Sequence, residues 1–523
     1  MNITKQKLSE FSSLPAVCCA SLFCAASVLS YGADESRRPN IVYLLVDDMG
    51  QGDLGCYGNT LFETPNIDRL RAEGMKLTNA YSACSVCSPS RAAILTGRYP
   101  ARLHLTDWIP GHKKPFAKLS VPDWQMFIDS NQTTLAEALK ENEYRTFFIG
   151  KWHLMPENKP ALMPEHTPER HGFDANIAGR EWGQPKGPGK YFYPWGDLPG
   201  ITGGKPGDFL DDRLTDEALS FLDHPGDKPF LLYMAYYLVH GPFMCKPEYE
   251  QKYLAKANAD PESWTRQYGS NTAIAVKYAG MVQTIDDSVG RLMQKLRERG
   301  LDKNTIIIFT SDNGGLFPGS AAGLRGKKGT AYEGGTRVPA IVRWPGKVAP
   351  GSLCADPVIG TDYFPTILES AGLKAMPEQH CDGTSLIPLL TQAGGVPSRD
   401  LFWHYPHYHQ NTTPYSSVRS GDWKLVEFLE NGKLELYDLK NDPAESHNCA
   451  SESPEKTTML KSKLDAWRRD VGAQMPGPNP KYDPSHHAGP QKPGQAGKPG
   501  QSKLICPEIG GDRIPLFFGV CRV

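Results

Sequence analysis

Hydrophobic residues fall into two alternating patterns between Pro39 and about Leu373 of this 523-residue chain. Short apolar or β-branched runs cover Ile41 to Val46, Thr146 to Ile149, Phe230 to Val239 and Thr305 to Thr310. An unbroken run of that length is the pattern of a strand buried on both faces, as in a parallel sheet. Between the runs lie stretches with helical spacing. Over Ile285 to Arg299, for example, Val289, Leu292, Met293 and Leu296 share one face, and Gly300 follows as a stop. Strands alternating with helices predict an α/β domain over residues 37–375, with a mostly parallel central sheet flanked by helices.

The pattern changes after about residue 395. Trp423–Phe428 and Lys433–Tyr437 flank Asn431-Gly432, a hairpin signal. Ser453-Pro454 then opens a helix that ends near Gly472, with Leu460, Leu464, Trp467 and Val471 as its apolar stripe. Residues 395–482 therefore read as a smaller C-terminal subdomain, an antiparallel sheet covered by a helix. From 484 to 523 the chain is rich in Pro, Gly, Lys and Gln, and is expected to be a disordered tail.

Polar groups follow each buried run. Ile41–Val46 leads to Asp47-Asp48, and Thr146–Ile149 to Gly150-Lys151-Trp152-His153. Phe230–Val239 leads to His240, and Thr305–Thr310 to Ser311-Asp312-Asn313-Gly314. Open α/β sheets bind ligands outside the carboxyl ends of their strands, so four strands would deliver reactive groups to one edge. A loop or a helix cap explains one such residue easily and four together poorly. Asp47, Asp48, Asp312 and Asn313 are all hard oxygen ligands, suited to Ca²⁺ or Mg²⁺.

The densest chemistry is Cys87-Ser88-Pro89-Ser90-Arg91, continuing to Thr96-Gly97-Arg98. Ser88 is a good N-cap, Pro89 fits the first helical position and Gly97 suits the stop. Cys87 is thereby placed at a helix N-terminus, where the backbone favours an anion. Over this stretch the chain resembles the type I sulfatases of the alkaline phosphatase superfamily. In that family Cys-x-Pro-Ser-Arg marks a cysteine that a formylglycine-generating enzyme oxidises to formylglycine. The resemblance covers roughly residues 37–482.

The resemblance implies an alkaline phosphatase-like fold and a set of roles. Asp47, Asp48, Asp312 and Asn313, with the modified Cys87, would hold one divalent cation, calcium or else magnesium. A hydrated aldehyde at position 87 would attack sulfur with one hydroxyl and expel sulfate with the other, splitting one hard step into two. Asp312 would take a proton from it. Lys151 and Lys328 would stabilise the sulfate oxygens, and Arg91 would hold the formylglycine. Lys328 is chosen over Lys327 because it directly precedes Gly329-Thr330, as the family's sulfate-binding lysine does. His153 would act as the base and His240 would protonate the leaving alcohol.

Substrate contacts are less constrained. Trp182, Tyr191, Phe192, Tyr193 and Trp195 sit in a Gly/Pro-rich loop, where they stack on a sugar ring or simply pin the loop. His404, His407 and His409, and also His104 and Trp108, are further candidates for the pocket wall.

Composition narrows the partners. With 57 basic and 58 acidic residues the formal charge is -1, which gives no general attraction to nucleic acid. Lys5, Lys7 and the apolar, small-residue stretch from Leu14 to Leu29 read as a secretory signal over residues 1–32. No membrane span is expected once it is cleaved, and the product would be secreted or periplasmic. The alternative, a lipoprotein anchor at Cys18, Cys19 or Cys24, fits the preceding residues poorly. Nine of the 12 cysteines lie beyond this segment, and an oxidising compartment would permit disulfides among them. The expectation is an exported sulfatase acting on a sulfated saccharide or small molecule. Two competitors remain: a phosphate or phosphonate monoester hydrolase of the same fold, and an inactive sulfated-glycan binding protein with an unmodified Cys87.

Overall fold

The computed structural model describes residues 37–157, 159–317 and 319–486. The expected leader (1–32) lies outside the described residues, as does the tail beyond residue 486. The chain parts into two units, Met1–Arg37 and Arg38–Val523, and every helix and strand among the described residues belongs to the second.

Its centre is an eight-stranded sheet. In chain order the strands are Asn40–Val46 (β1), Met75–Leu77 (β2), Arg145–Gly150 (β3), Ala175–Ile177 (β4), Phe230–Ala235 (β5), Thr305–Ser311 (β6), Ala340–Arg343 (β7) and Ser352–Cys354 (β8). Their order across the sheet is β8-β2-β7-β6-β1-β5-β3-β4. All neighbours run parallel except β7, which is antiparallel to both β6 and β2. The four apolar runs expected to be strands are the four adjacent central ones, β6-β1-β5-β3. β5 stops at Ala235, four residues short of the expected end, because the chain leaves the ladder there.

β1 shows why an unbroken run is needed. Val42, Leu44 and Val46 enter the core on one face of the sheet, while Ile41, Tyr43 and Leu45 enter the core on the other. The first face is covered by Leu210–Asp223 and by a 27-residue helix, Thr272–Glu298. That helix starts well before the expected Ile285, since Ala275, Val276, Ala279 and Val282 continue its buried face. The second face is covered in part by Cys87–Thr96 (α1).

A four-stranded antiparallel sheet follows: Asp400–Tyr405 (β9), Tyr415–Ser420 (β10), Trp423–Phe428 (β11) and Lys433–Asp438 (β12), in that order. The Asn431-Gly432 turn joins β11 to β12, with Gly432 at φ 69. Pro454–Asp470 packs on this sheet through Leu460, Leu464 and Trp467. The core shared by this sheet and helix also takes in Tyr81, Val86 and Ala93, so it reaches α1 itself.

Seven described cysteines (56, 84, 87, 245, 354, 381 and 449) are all free thiols. No helix among the described residues is long and apolar enough to cross a membrane.

Candidate active site

α1 is buried along its whole length, charged residues included. It starts at Cys87 itself, with Val86 as the extended N-cap, and not at the expected Ser88 cap. Ser88 Oγ instead accepts a hydrogen bond from the Ile109 backbone N–H at 3.1 Å, tying the helix start to the following loop. Gly97 ends the helix as expected, at φ 68, donating to the Ala93 carbonyl. Burial raises the Cys87 thiol above its ordinary value, against the pull of Lys151 and Lys328.

The carboxyl ends of the central strands meet beneath Cys87. The Asp47 N–H donates to the Leu238 carbonyl at 3.0 Å, the Asp312 N–H to that of Val46 at 3.0 Å and the Lys151 N–H to that of Ala235 at 2.7 Å. These ties bring Asp47, Asp48, Asp312 and Asn313 together with essentially no exposure. Asp48 has φ 61, a strained conformation for a residue with a side chain.

Three cations answer the three carboxylates. Lys151 Nζ lies 2.6 Å from Asp47 Oδ2, and Lys328 Nζ 2.6 Å from Asp48 Oδ1. Arg91, one turn along α1 from Cys87, reaches Asp312 Oδ2 at 2.7 Å and donates to the Lys151 carbonyl. Burial pushes Asp47 up to about 8, although Lys151 pulls it down. Burial also opposes ionisation of Asp48, yet Lys328, His240 and Lys151 hold it well below the usual carboxylate range.

This donor set fits a hard divalent cation. Asp47 Oδ1, Asp48 Oδ2 and Asn313 Oδ1 are buried oxygens with no hydrogen-bond donor among the described residues, an expensive arrangement unless a cation uses them. One ligand atom each of Asp47, Cys87 and Asp312 lies within 4.8 Å of the others.

Above the carboxylates opens a cavity of about 430 Å³. Cys87, Lys328, His153 and His240 form its foot. Lys328 Nζ stands 3.1 Å from Cys87 Sγ. Lys151 and Arg91 lie one layer deeper, fully or almost fully buried. His153, at φ 57, donates from Nε2 to the Ile109 carbonyl at 2.6 Å, since a carbonyl only accepts. Its Nδ1 therefore carries a lone pair, and nothing among the described residues donates to it. His240 donates from Nδ1 to the Gly241 carbonyl at 2.8 Å by the same reasoning, and its Nε2 lies 3.7 Å from Asp48 Oδ2.

The other sequence candidates separate. Trp108 and His409 line the cavity. His404 does not: it is buried between Ser416 and the Gln474 carbonyl. His407 bonds Thr106 Oγ1 at 2.8 Å and lies behind the wall. His104 bonds the Gly472 carbonyl, away from the cavity. The aromatic loop pins itself: Tyr191 OH donates to the Tyr237 and His240 carbonyls, while Trp182 and Trp195 pack into the core. Phe192 and Tyr193 pack against that core. Sequence reasoning missed His112, Glu157 and Lys186, which line the upper cavity. No spacing in the chain links those three to the signature helix.

The chain matches the family model for sulfatases over residues 39–373, and the model for the N-sulphoglucosamine sulphohydrolase C-terminal region over residues 326–470. It is 31% identical over 505 residues to arylsulfatase A of Homo sapiens, covering 84% of this chain and 90% of that protein. It is 34% identical over 410 residues to N-acetylgalactosamine-6-sulfatase of Rattus norvegicus, covering 73% of this chain and 70% of that protein. Among solved structures it resembles Ps i-CgsB in complex with k-i-k-neocarrahexaose. The TM-score is 0.70 at 27% identity, over 86% of this chain and 96% of that one.

Proposed function

We propose, from the premise that this chain belongs to the sulfatase family of sulfuric ester hydrolases, that it is an exported enzyme removing sulfate from a carbohydrate through a formylglycine made from Cys87. The observation that carries this reading is the foot of the cavity: Lys328 Nζ 3.1 Å from Cys87 Sγ, directly over a buried oxygen cluster. The carbohydrate is supported by relatives and neighbours whose names carry sulfated or oligomeric sugars. Export rests on the signal-like start of the sequence.

In this reading the raised pKa of the buried thiol argues against sulfur as the attacking atom. Oxidation of Cys87 by a maturation enzyme would supply a hydrated aldehyde as the oxygen nucleophile. A calcium or magnesium ion held by Asp47, Asp48, Asp312, Asn313 and residue 87 would supply Lewis acidity to the sulfate oxygens and acidity to that nucleophile.

The remaining work falls to side chains of this chain. Lys328 presents its ammonium to the sulfate, and Lys151 adds positive potential from behind Asp47. Arg91 fixes Asp312 at the nucleophile, where the carboxylate is placed to take a proton. His153 Nδ1 is the free lone pair at the foot of the cavity and serves as the base that regenerates the aldehyde. His240 Nε2 hands a proton to the leaving sugar oxygen, which is too basic to depart alone. Burial and Lys328 hold the free imidazole down to about 3 with Asp48 pulling the other way, so the imidazolium this requires forms when a bound sulfate ester anion adds to the pull of Asp48.

The test is peptide mass spectrometry across Cys87 on protein co-expressed with a formylglycine-generating enzyme. The expected residue is about 18 Da lighter than cysteine, through loss of H₂S and gain of oxygen, unlike the heavier products of ordinary thiol oxidation. Cys87→Ala should abolish turnover with the fold intact. An unmodified thiol, or a fully active alanine variant, would sink the mechanism. Parallel assays on the sulfate and phosphate esters of one phenol separate a sulfatase from a phosphate or phosphonate hydrolase.

A further inference from the structure

We propose that His409 is a substrate-binding residue that reads a hydroxyl of the sulfated sugar ring, so that the C-terminal sheet completes the active site. This rests on the sulfatase reading above and extends it to the shape of the substrate.

His409 lies on the connection between β9 and β10, and its loop is a rigid hook. The His409 N–H donates to the Thr412 carbonyl at 3.1 Å, and the Thr412 N–H donates back at 3.3 Å. Asn411 Nδ2 donates to the Lys328 carbonyl at 3.1 Å, so the hook is fastened to the turn that carries the sulfate-facing lysine. The Gly329 N–H donates to the Ser85 carbonyl at 2.8 Å, and Tyr415 OH bonds Ser85 Oγ at 2.8 Å. The histidine is therefore positioned against the nucleophile helix as firmly as the residues of the main sheet.

The imidazole is held by packing alone. It makes no hydrogen bond to the described residues, and Nδ1 is buried. A Cβ at Gly329 would lie 2.1 Å from Nδ1, so the ring rests with that edge on the glycine. Its other nitrogen is left for the cavity that the residue lines. Burial, His112 and Lys328 keep the ring neutral, which suits a hydroxyl and not a second anion.

The surroundings fit one neutral ring. His112 stands edge-on to His409 at 5.1 Å and accepts a hydrogen bond from Trp108 Nε1 at 3.0 Å. These three side chains form one wall of indole and imidazole, suited to the apolar face and rim hydroxyls of a sugar. Lys186, which also lines the cavity, is paired with Glu157. The cavity of about 430 Å³ has room for a sugar ring and its sulfate.

The experiment compares wild type, His409→Ala and His409→Gln after maturation at Cys87. Substrates are 4-nitrophenyl sulfate and a panel of O-sulfated monosaccharides. His409→Ala is expected to lose at least tenfold more kcat/KM on its best sulfated monosaccharide than on the aryl ester, chiefly through KM. His409→Gln should recover part of that gap. Equal losses on sugar and aryl esters overturn the proposal, as does aryl turnover with no monosaccharide turnover. A wild type inactive on every sulfate ester overturns the sulfatase reading, and this inference falls with it.

Discussion

At the residue scale the strongest demand falls on His240. Its neighbours set its charge from both sides: burial and Lys328 push its pKa down to about 3, while Asp48 pulls the other way. In the proposed role of proton donor, taken up with the substrate bound, it matters in proportion to the basicity of the leaving group. His240→Ala should therefore cost about 10²- to 10⁴-fold in kcat on a sugar sulfate, and far less on 4-nitrophenyl sulfate. Equal losses on both esters would remove the role. The residues bearing charge here were legible in the sequence because each follows an apolar run or sits in the signature helix, except Lys328, which was picked out by the Gly329-Thr330 that follows it. What was illegible is what orients them. The Ile109 carbonyl sets the tautomer of His153, and a Cβ at Gly183 would come within 2.8 Å of the His153 ring. A backbone acceptor and a missing side chain leave no chemical mark in a one-dimensional pattern.

At the scale of elements, strand existence was read well from the apolar runs and element ends were read less well. Phe230–Val239 was too long, because Tyr236 to Val239 remain buried after the ladder ends at Ala235. Burial without pairing looks the same in sequence as burial in a strand. The joint between elements was not visible at all. Lys424 of β11, fully buried, bridges Glu333 at 3.0 Å and Glu445 at 3.0 Å. Glu333 belongs to the segment that leads on from Lys328, so Lys424 fastens the small sheet to the side of the site that carries Lys328. Lys424→Met should destabilise the protein by ~3–5 kcal/mol, since it strands two buried carboxylates. Burial already pushes Glu445 up to about 7, so it can take up a proton and soften that loss. Adding Glu445→Gln should therefore leave the double variant no less stable than the single one in urea unfolding. A cost below about 1 kcal/mol for Lys424→Met would show that water reaches the cluster.

Over the whole molecule, buried ionisable groups away from the oxygen cluster pull stability in opposite directions with pH. Burial holds His171 and His404 down to about 4 and His407 down to about 3. Burial also lifts Asp53 up to about 6, and Asp107 and Asp211 up to about 7. The histidines are neutral in the folded chain but take a proton in the unfolded chain below about 6.5. Their contribution is complete above that value and is lost as pH falls toward 4. The aspartates are protonated when folded and ionised when unfolded above about 3.9. Their contribution is complete below that value and is lost as pH rises through 6 to 7. Between pH 4 and 6.5 the two sets oppose each other, so the wild-type response is a small difference between larger slopes. Removing one member exposes its slope. His404 is the cleanest choice, because its ring is closed between Ser416 and the Gln474 carbonyl with Arg468 as its charged neighbour. His404→Asn should be less stable than wild type at pH 7.5. Between pH 7.5 and 5 the gap should close by about 2 kcal/mol, because only the wild type pays for holding that imidazole neutral. Urea unfolding at the two pH values measures it, and a gap that does not change with pH would mean that His404 is charged in the folded protein.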